Sequence, residues 1–83
     1  MIVKTTKYFE YTRKRPDRSG IKDEWIVRTI ELPIETIEQS DGRFKKWSYI
    51  EEVKKYLRVI VLADGKTVHN AFFDRSFTRG AKS

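Results

Sequence analysis

The chain has no cysteine and only one histidine. Without cysteine there is no disulfide framework and no thiolate to hold a metal. A single histidine is a poor basis for a zinc site, so neither metal nor cofactor is expected. There are only two prolines and four glycines, and nothing reads as a low-complexity segment. No apolar run is long enough to cross a bilayer, and the residues from Met1 to Lys7 lack the greasy core of a signal peptide. A cytoplasmic protein of bacterial type, with no membrane partner, is the expectation. A glycine-rich phosphate loop, a nucleophile elbow and a paired-carboxylate motif are missing as well, which removes the commonest signatures of phosphate-loop, acyl-transfer and two-carboxylate chemistry.

Negative charge is in the minority. Eighteen Lys and Arg stand against twelve Asp and Glu, for a formal net charge of +6. The excess is clustered. Lys4, Lys7, Arg13, Lys14, Arg15 and Arg18 meet only Glu10 and Asp17, and further groups form at Arg43, Lys45 and Lys46, at Lys54, Lys55 and Arg58, and at Arg75, Arg79 and Lys82. Such a surface suits a polyanion, RNA or DNA first. Solubility alone asks for a net charge of about 2 to 8 on a small domain, so an ordinary solvated surface is the plainer reading. At 83 residues the chain forms one domain with one modest core, burying roughly 60–65% of its unfolded surface. That domain is placed at residues 1–75, with 76–83 as a flexible C-terminal tail.

Tyr8, Phe9, Tyr11 and Thr12 fit one stripe of a helix capped by Thr5 or Thr6, although Tyr and Thr also suit a strand. The helix is preferred, ended by Pro16. Residues 21–32 form a second helix, with Asp23 and Glu24 in its first turn, Lys22 as the cap position and Pro33 as its stop. Two Asp-Gly pairs then predict tight hairpins. Around Asp41-Gly42 a two-residue loop sets Glu38 opposite Lys45, Thr36 opposite Trp47 and Ile34 opposite Tyr49. Around Asp64-Gly65 it sets Ile60 opposite His69, Arg58 opposite Ala71 and Tyr56 opposite Phe73. The expected fold is α+β: two N-terminal helical segments packed on one face of a four-stranded antiparallel β-meander. In this register Leu57, Val59, Val61, Ala63, Val68 and Phe72 face the core, with Asn70 as a polar intruder among them.

Two constellations carry candidate chemistry. The strand from Phe44 to Ile50 exposes either Arg43, Lys45, Trp47 and Tyr49, or Phe44, Lys46, Ser48 and Ile50. The first set interleaves cations with rings, which suits single-stranded nucleic acid because cations meet phosphates and rings stack bases. Arg43, Lys45, Lys46, Trp47 and Arg75 are the candidate contacts. The plainer reading of Trp47 is structural packing. Second, the hairpin register puts Arg58 diagonal to His69, roughly 7 Å apart at Cα. An imidazole to take a 2′-hydroxyl proton and a guanidinium to steady a phosphorane would make a metal-independent ribonuclease pair, with Tyr49 or Tyr56 orienting or protonating the leaving group. The plainer reading is a half-buried histidine bonded to backbone beside a structural arginine.

The string from Gln39 to Arg43, then Trp47, then Tyr56 to Val59, then Leu62 to Arg75, with Arg15-Pro16 and Trp25 upstream, resembles a group of small uncharacterised proteins of cyanobacteria and other bacteria. The order of elements is also similar to that of BrnT-type and RelE-like toxins. That likeness implies a ribosome-dependent or free endoribonuclease neutralised by a partner antitoxin. The chain departs from RelE in lacking its C-terminal arrangement of catalytic Arg and Tyr, so no catalytic residue is carried over. Three functions remain open: an RNA-interacting, toxin-like endoribonuclease; a module that binds RNA or protein without catalysis; and a structural or regulatory protein that pairs with itself as a homodimer.

Overall fold

The computed structural model describes residues 4–77. The order of elements is α1 (Lys7–Thr12), α2 (Asp23–Glu31), β1 (Glu35–Glu38), β2 (Phe44–Ile50), β3 (Lys55–Val61) and β4 (Val68–Phe73). The four strands form one antiparallel sheet in the order β1-β2-β3-β4. Both helices lie on one face, giving the expected α+β arrangement. Phe9 of α1 and Trp25 and Ile26 of α2 share a buried cluster with Ile50, Leu57, Val59, Val61, Val68 and Ala71.

α1 is short, and its N-terminus is held from outside. The Thr6 hydroxyl accepts the Phe9 N–H at 3.1 Å as an N-cap. The Thr6 N–H donates to the Val68 carbonyl at 3.0 Å, and the Val68 N–H to the Lys4 carbonyl at 2.8 Å, which pins the entering chain to the edge of β4. α2 opens at Lys22, a cap without a side-chain hydrogen bond, and carries Asp23 and Glu24 in its first turn, where carboxylates complement the helix dipole. An ion pair from Arg13 to Asp23 ties the helices together. The fully buried Thr29 hydroxyl donates to the Trp25 carbonyl at 2.9 Å, so its burial leaves no free polar group.

Neither hairpin has the expected two-residue loop. A type I′ turn needs positive φ at both central residues; Gly42 and Gly65 have it, at +93° and +73°, but Asp41 and Asp64 do not. Each glycine instead ends a turn, with Gly42 N–H donating to the Gln39 carbonyl and Gly65 N–H to the Leu62 carbonyl, both at 2.9 Å. The first loop therefore takes three residues, and β1 slides one place: Glu35 faces Trp47, Thr36 faces Lys46, Ile37 faces Lys45 and Glu38 faces Phe44. The second loop is clamped by the Asp64 carboxylate, which accepts the Lys66 and Thr67 N–H groups and the Thr67 hydroxyl. These bonds, the Thr67 hydroxyl first among them, hold the Asp64 carboxyl down to about 2.

Beside that turn the expected register survives, with Val61 facing Val68. One residue further the ladder bulges, and beyond it Ile60 faces Asn70, Val59 faces Ala71, Arg58 faces Phe72 and Leu57 faces Phe73. His69 is the extra residue. A one-residue shift exchanges the two faces of a strand. Ala71 becomes the buried residue, Phe73 joins the edge of the core, and Asn70 and Phe72 turn to the face away from the helices. The bulge removes the conflict left by an unbroken ladder, in which Asn70 would lie unpaired among apolar side chains.

Candidate functional site

The face of the sheet away from the helices is built from the alternate residues of three strands. β2 contributes Lys45, Trp47 and Tyr49, β3 contributes Tyr56, Arg58 and Ile60, and β4 contributes Asn70 and Phe72. Of the two sets that β2 was able to expose, the structure selects the one with the rings. Lys46 points the other way: its Nζ donates to the Ile30 carbonyl at 3.2 Å, near the C-terminus of α2, where a cation is favoured.

Trp47 is 5% exposed although it faces away from the helices. Three groups among the described residues lie against it. Its Nε1–H donates to Asp74 Oδ2 at 3.0 Å. The Phe77 ring stacks on it at 4.8 Å with 15° between planes. The Arg58 guanidinium lies 5.4 Å from its ring centre. Phe77 also meets Tyr56 edge-on at 5.0 Å, and Tyr56 meets Tyr49 likewise at 5.0 Å. Four rings thus run in series across the face. Of the expected tail, Ser76 and Phe77 are part of this cluster, and residues 78–83 lie outside the described residues.

Asp74 is the hub. It accepts the Ser76 N–H at 3.0 Å and the Ser76 hydroxyl at 2.7 Å, and Arg58 Nη1 lies 3.5 Å from its Oδ2. Burial alone would raise its carboxyl. The hydrogen bonds from Trp47 and Ser76 and the Arg58 charge outweigh that, and the net shift is downward.

A second arginine reaches the same face from the α1–α2 connection. Arg18 Nη1 donates to Asn70 Oδ1 at 2.8 Å. Arg18 and Arg58 both lie 5.2 Å from the centre of the Phe72 ring. The Nε of each is buried without a hydrogen-bond partner among the described residues. Beside them an open groove of about 680 Å³ is lined by the cations Arg18, Lys54, Lys55 and Arg75, the carboxylates Asp17 and Asp74, and the rings of Tyr56, Phe72, Phe73 and Phe77. Lys54 enters it from a tight turn in which its own φ is +54°.

Arg58 and His69 do not share partners. Arg58 belongs with Asp74, Trp47 and Phe72. His69, displaced by the bulge, packs against the start of α1: its ring stacks on Tyr8 at 4.9 Å, and its Nδ1 lies 3.1 Å from the Thr6 hydroxyl, the same group that caps α1. Burial, then the nearby Arg43 charge, lower the His69 pKa, partly opposed by Asp41. The diagonal placement of the two groups was a consequence of the unbulged register and goes with it. Arg43 pairs loosely with Asp41 at 3.7 Å. Tyr49 and Arg75 are on the open face and in the groove.

Arg18, Lys54, Lys55 and Phe77 are members of the site that were not among the candidate contacts read from the sequence. The charge cluster at Lys54 and Lys55 pointed toward two of them. An Asp-x-Ser turn leading to an aromatic was the available signal for Phe77. Arg18 belonged to the N-terminal basic cluster, but nothing local marks its reach to Asn70 on the sheet. Among the described residues no group of three His, Cys, Asp or Glu is placed to hold a metal ion, and no helix is long and apolar enough to cross a membrane. No family model, no curated protein and no solved structure matches the chain.

Proposed function

We propose that the open face of the sheet and its adjoining groove bind single-stranded RNA without metal or cofactor. The observation that carries this is the interleaving of cations with flat rings on one surface: Lys45, Tyr49, Tyr56 and Arg58 on the strands, continuing into a groove with four cations and two carboxylates. Of those carboxylates, Asp74 is already engaged by Trp47, Ser76 and Arg58. Cations along such a surface follow the phosphates of an unpaired strand. Tyr49, 38% exposed, and Tyr56 offer faces to its bases, each stack contributing about 1–3 kcal/mol. A base-paired duplex cannot present its ring faces this way. Self-pairing through the β1 edge is disfavoured, because a centred antiparallel pair would put Glu35 opposite Glu38 twice over.

The test is anisotropy of a labelled single-stranded RNA oligonucleotide over a salt series. Three to five phosphate contacts give a log–log slope of roughly −2 to −3.5, and removing one cation flattens it by about 0.7. Lys55→Glu and Arg75→Glu should each weaken binding. Binding that is absent at low salt, or that ignores salt, refutes the proposal. Cleavage of the oligonucleotide, lost in both Arg58→Ala and His69→Ala, would replace it with the nuclease reading.

A further inference from the structure

We infer that the place held by Phe77 on Trp47 is a nucleobase slot, which a base of the bound single strand takes by displacing Phe77; this rests on the RNA-binding reading and deepens it. The slot has the geometry of a base stack. Phe77 lies 4.8 Å from the indole and nearly parallel to it, at 15°, with Tyr56 closing one side edge-on at 5.0 Å. The indole is fixed for this purpose, since its N–H is anchored to Asp74 and cannot swing away when the ring above it leaves. Arg58 lies 5.4 Å from the same indole, within reach of a phosphate attached to a stacked nucleotide. The slot opens into the cationic groove, of which Phe77 is itself a wall.

Phe77 is weakly attached. It lies beyond the end of β4, outside the sheet ladder. Its backbone N–H reaches the Asp74 carbonyl at 3.4 Å, a long bond, and among the described residues the turn that carries it is held by the Ser76 N–H and hydroxyl on the Asp74 carboxylate. Its ring is exchangeable for another flat ring on the same surface. A ring supplied by the chain keeps the indole dry in the free protein and competes with the ligand, so the measured affinity is lower than the slot would give empty.

The experiment compares the full chain with Phe77→Ala, Phe77→Tyr and the double variant Trp47→Leu/Phe77→Ala, using a labelled uridine oligonucleotide. Phe77→Ala should bind about threefold to tenfold more tightly, the range expected from one aromatic pair. Its salt slope should be unchanged because no charge is altered. Phe77→Tyr, which keeps a competing ring on the indole, should not show this gain, and the double variant should lose it. Unchanged or weaker binding by a folded Phe77→Ala overturns the inference. Where Phe77→Ala does not fold, the indole N–H resonance of Trp47 in the parent chain decides: it moves on saturation with the oligonucleotide if the slot is used, and stays put if it is not. A parent chain that binds with a salt slope while Phe77→Ala brings no gain removes the slot and leaves the RNA reading standing. A parent chain that does not bind removes both.

Discussion

Two neighbouring substitutions, Asn70→Asp and Ala71→Asp, have opposite expected outcomes because of the bulge at His69. Ala71 is 3% exposed and packs among Val59, Val68 and the helices. A carboxylate there is desolvated among Phe9, Ile21 and Ile26, in a cavity that Arg13 and Arg18 also line, and a buried charge without a well-formed pair costs about 3–5 kcal/mol. The whole domain, at 83 residues, has a stability of roughly 4–12 kcal/mol. Ala71→Asp should therefore remove much or all of the folded population. Asn70 faces the other way, and its Oδ1 already accepts from Arg18 at 2.8 Å and from the Ala71 N–H at 3.0 Å. An aspartate keeps both acceptor roles and adds charge complementarity, so the change should stay within about 1 kcal/mol. Urea unfolding followed by tryptophan emission measures both. With a slope of about 1 kcal/mol per molar, Ala71→Asp should lower the midpoint by about 3 M or abolish the transition, and Asn70→Asp should barely move it. In an unbroken ladder the two residues exchange faces. A chain that tolerates Asp at 71 and unfolds with Asp at 70 would refute the bulge and every assignment of faces built on it.

Deleting His69 outright should be tolerated. Val68 and Asn70 become neighbours on a regular strand and still face opposite ways, at the loss of one hydrogen bond to Thr6 and one ring stack on Tyr8. Together these amount to roughly 1–3 kcal/mol, and a deletion variant with no cooperative thermal transition contradicts the register. The docking of Phe77 should also depend on acid. Asp74 has a folded pKa below its ordinary value, so the stability it lends is fully present above the unfolded carboxylate range and is lost as pH falls through the folded pKa. Trp47 emission should change on acidification before global unfolding, and Asp74→Asn should remove that step; its persistence in Asp74→Asn would assign it to another group.

The sequence by itself determined the order of elements and the type of each except α1, which it left between helix and strand. Thr5 or Thr6 and Lys22 mark the helix starts, Pro33 marks an end, and β-branched runs flank the two Asp-Gly pairs. These are local signals, decided by φ preferences and hydrogen bonds within a few residues. That β2 carries two alternative faces was also legible. Which face meets the helices was not, nor was the β1–β2 register or the β3–β4 register beyond the Val61–Val68 pair. Asp-Gly is compatible with a loop one residue longer than the tightest turn, and a single extra residue inverts a strand. The choice was made by the demand that Ala71 and Phe73, rather than Asn70 and Phe72, lie beneath the helices, and that energy exists only once helices and sheet are packed. The separation of His69 from Arg58 follows from the same event. The docking of Phe77 and the reach of Arg18 to Asn70 are contacts between residues distant in the chain, 52 positions apart in the second case, and no local preference encodes them.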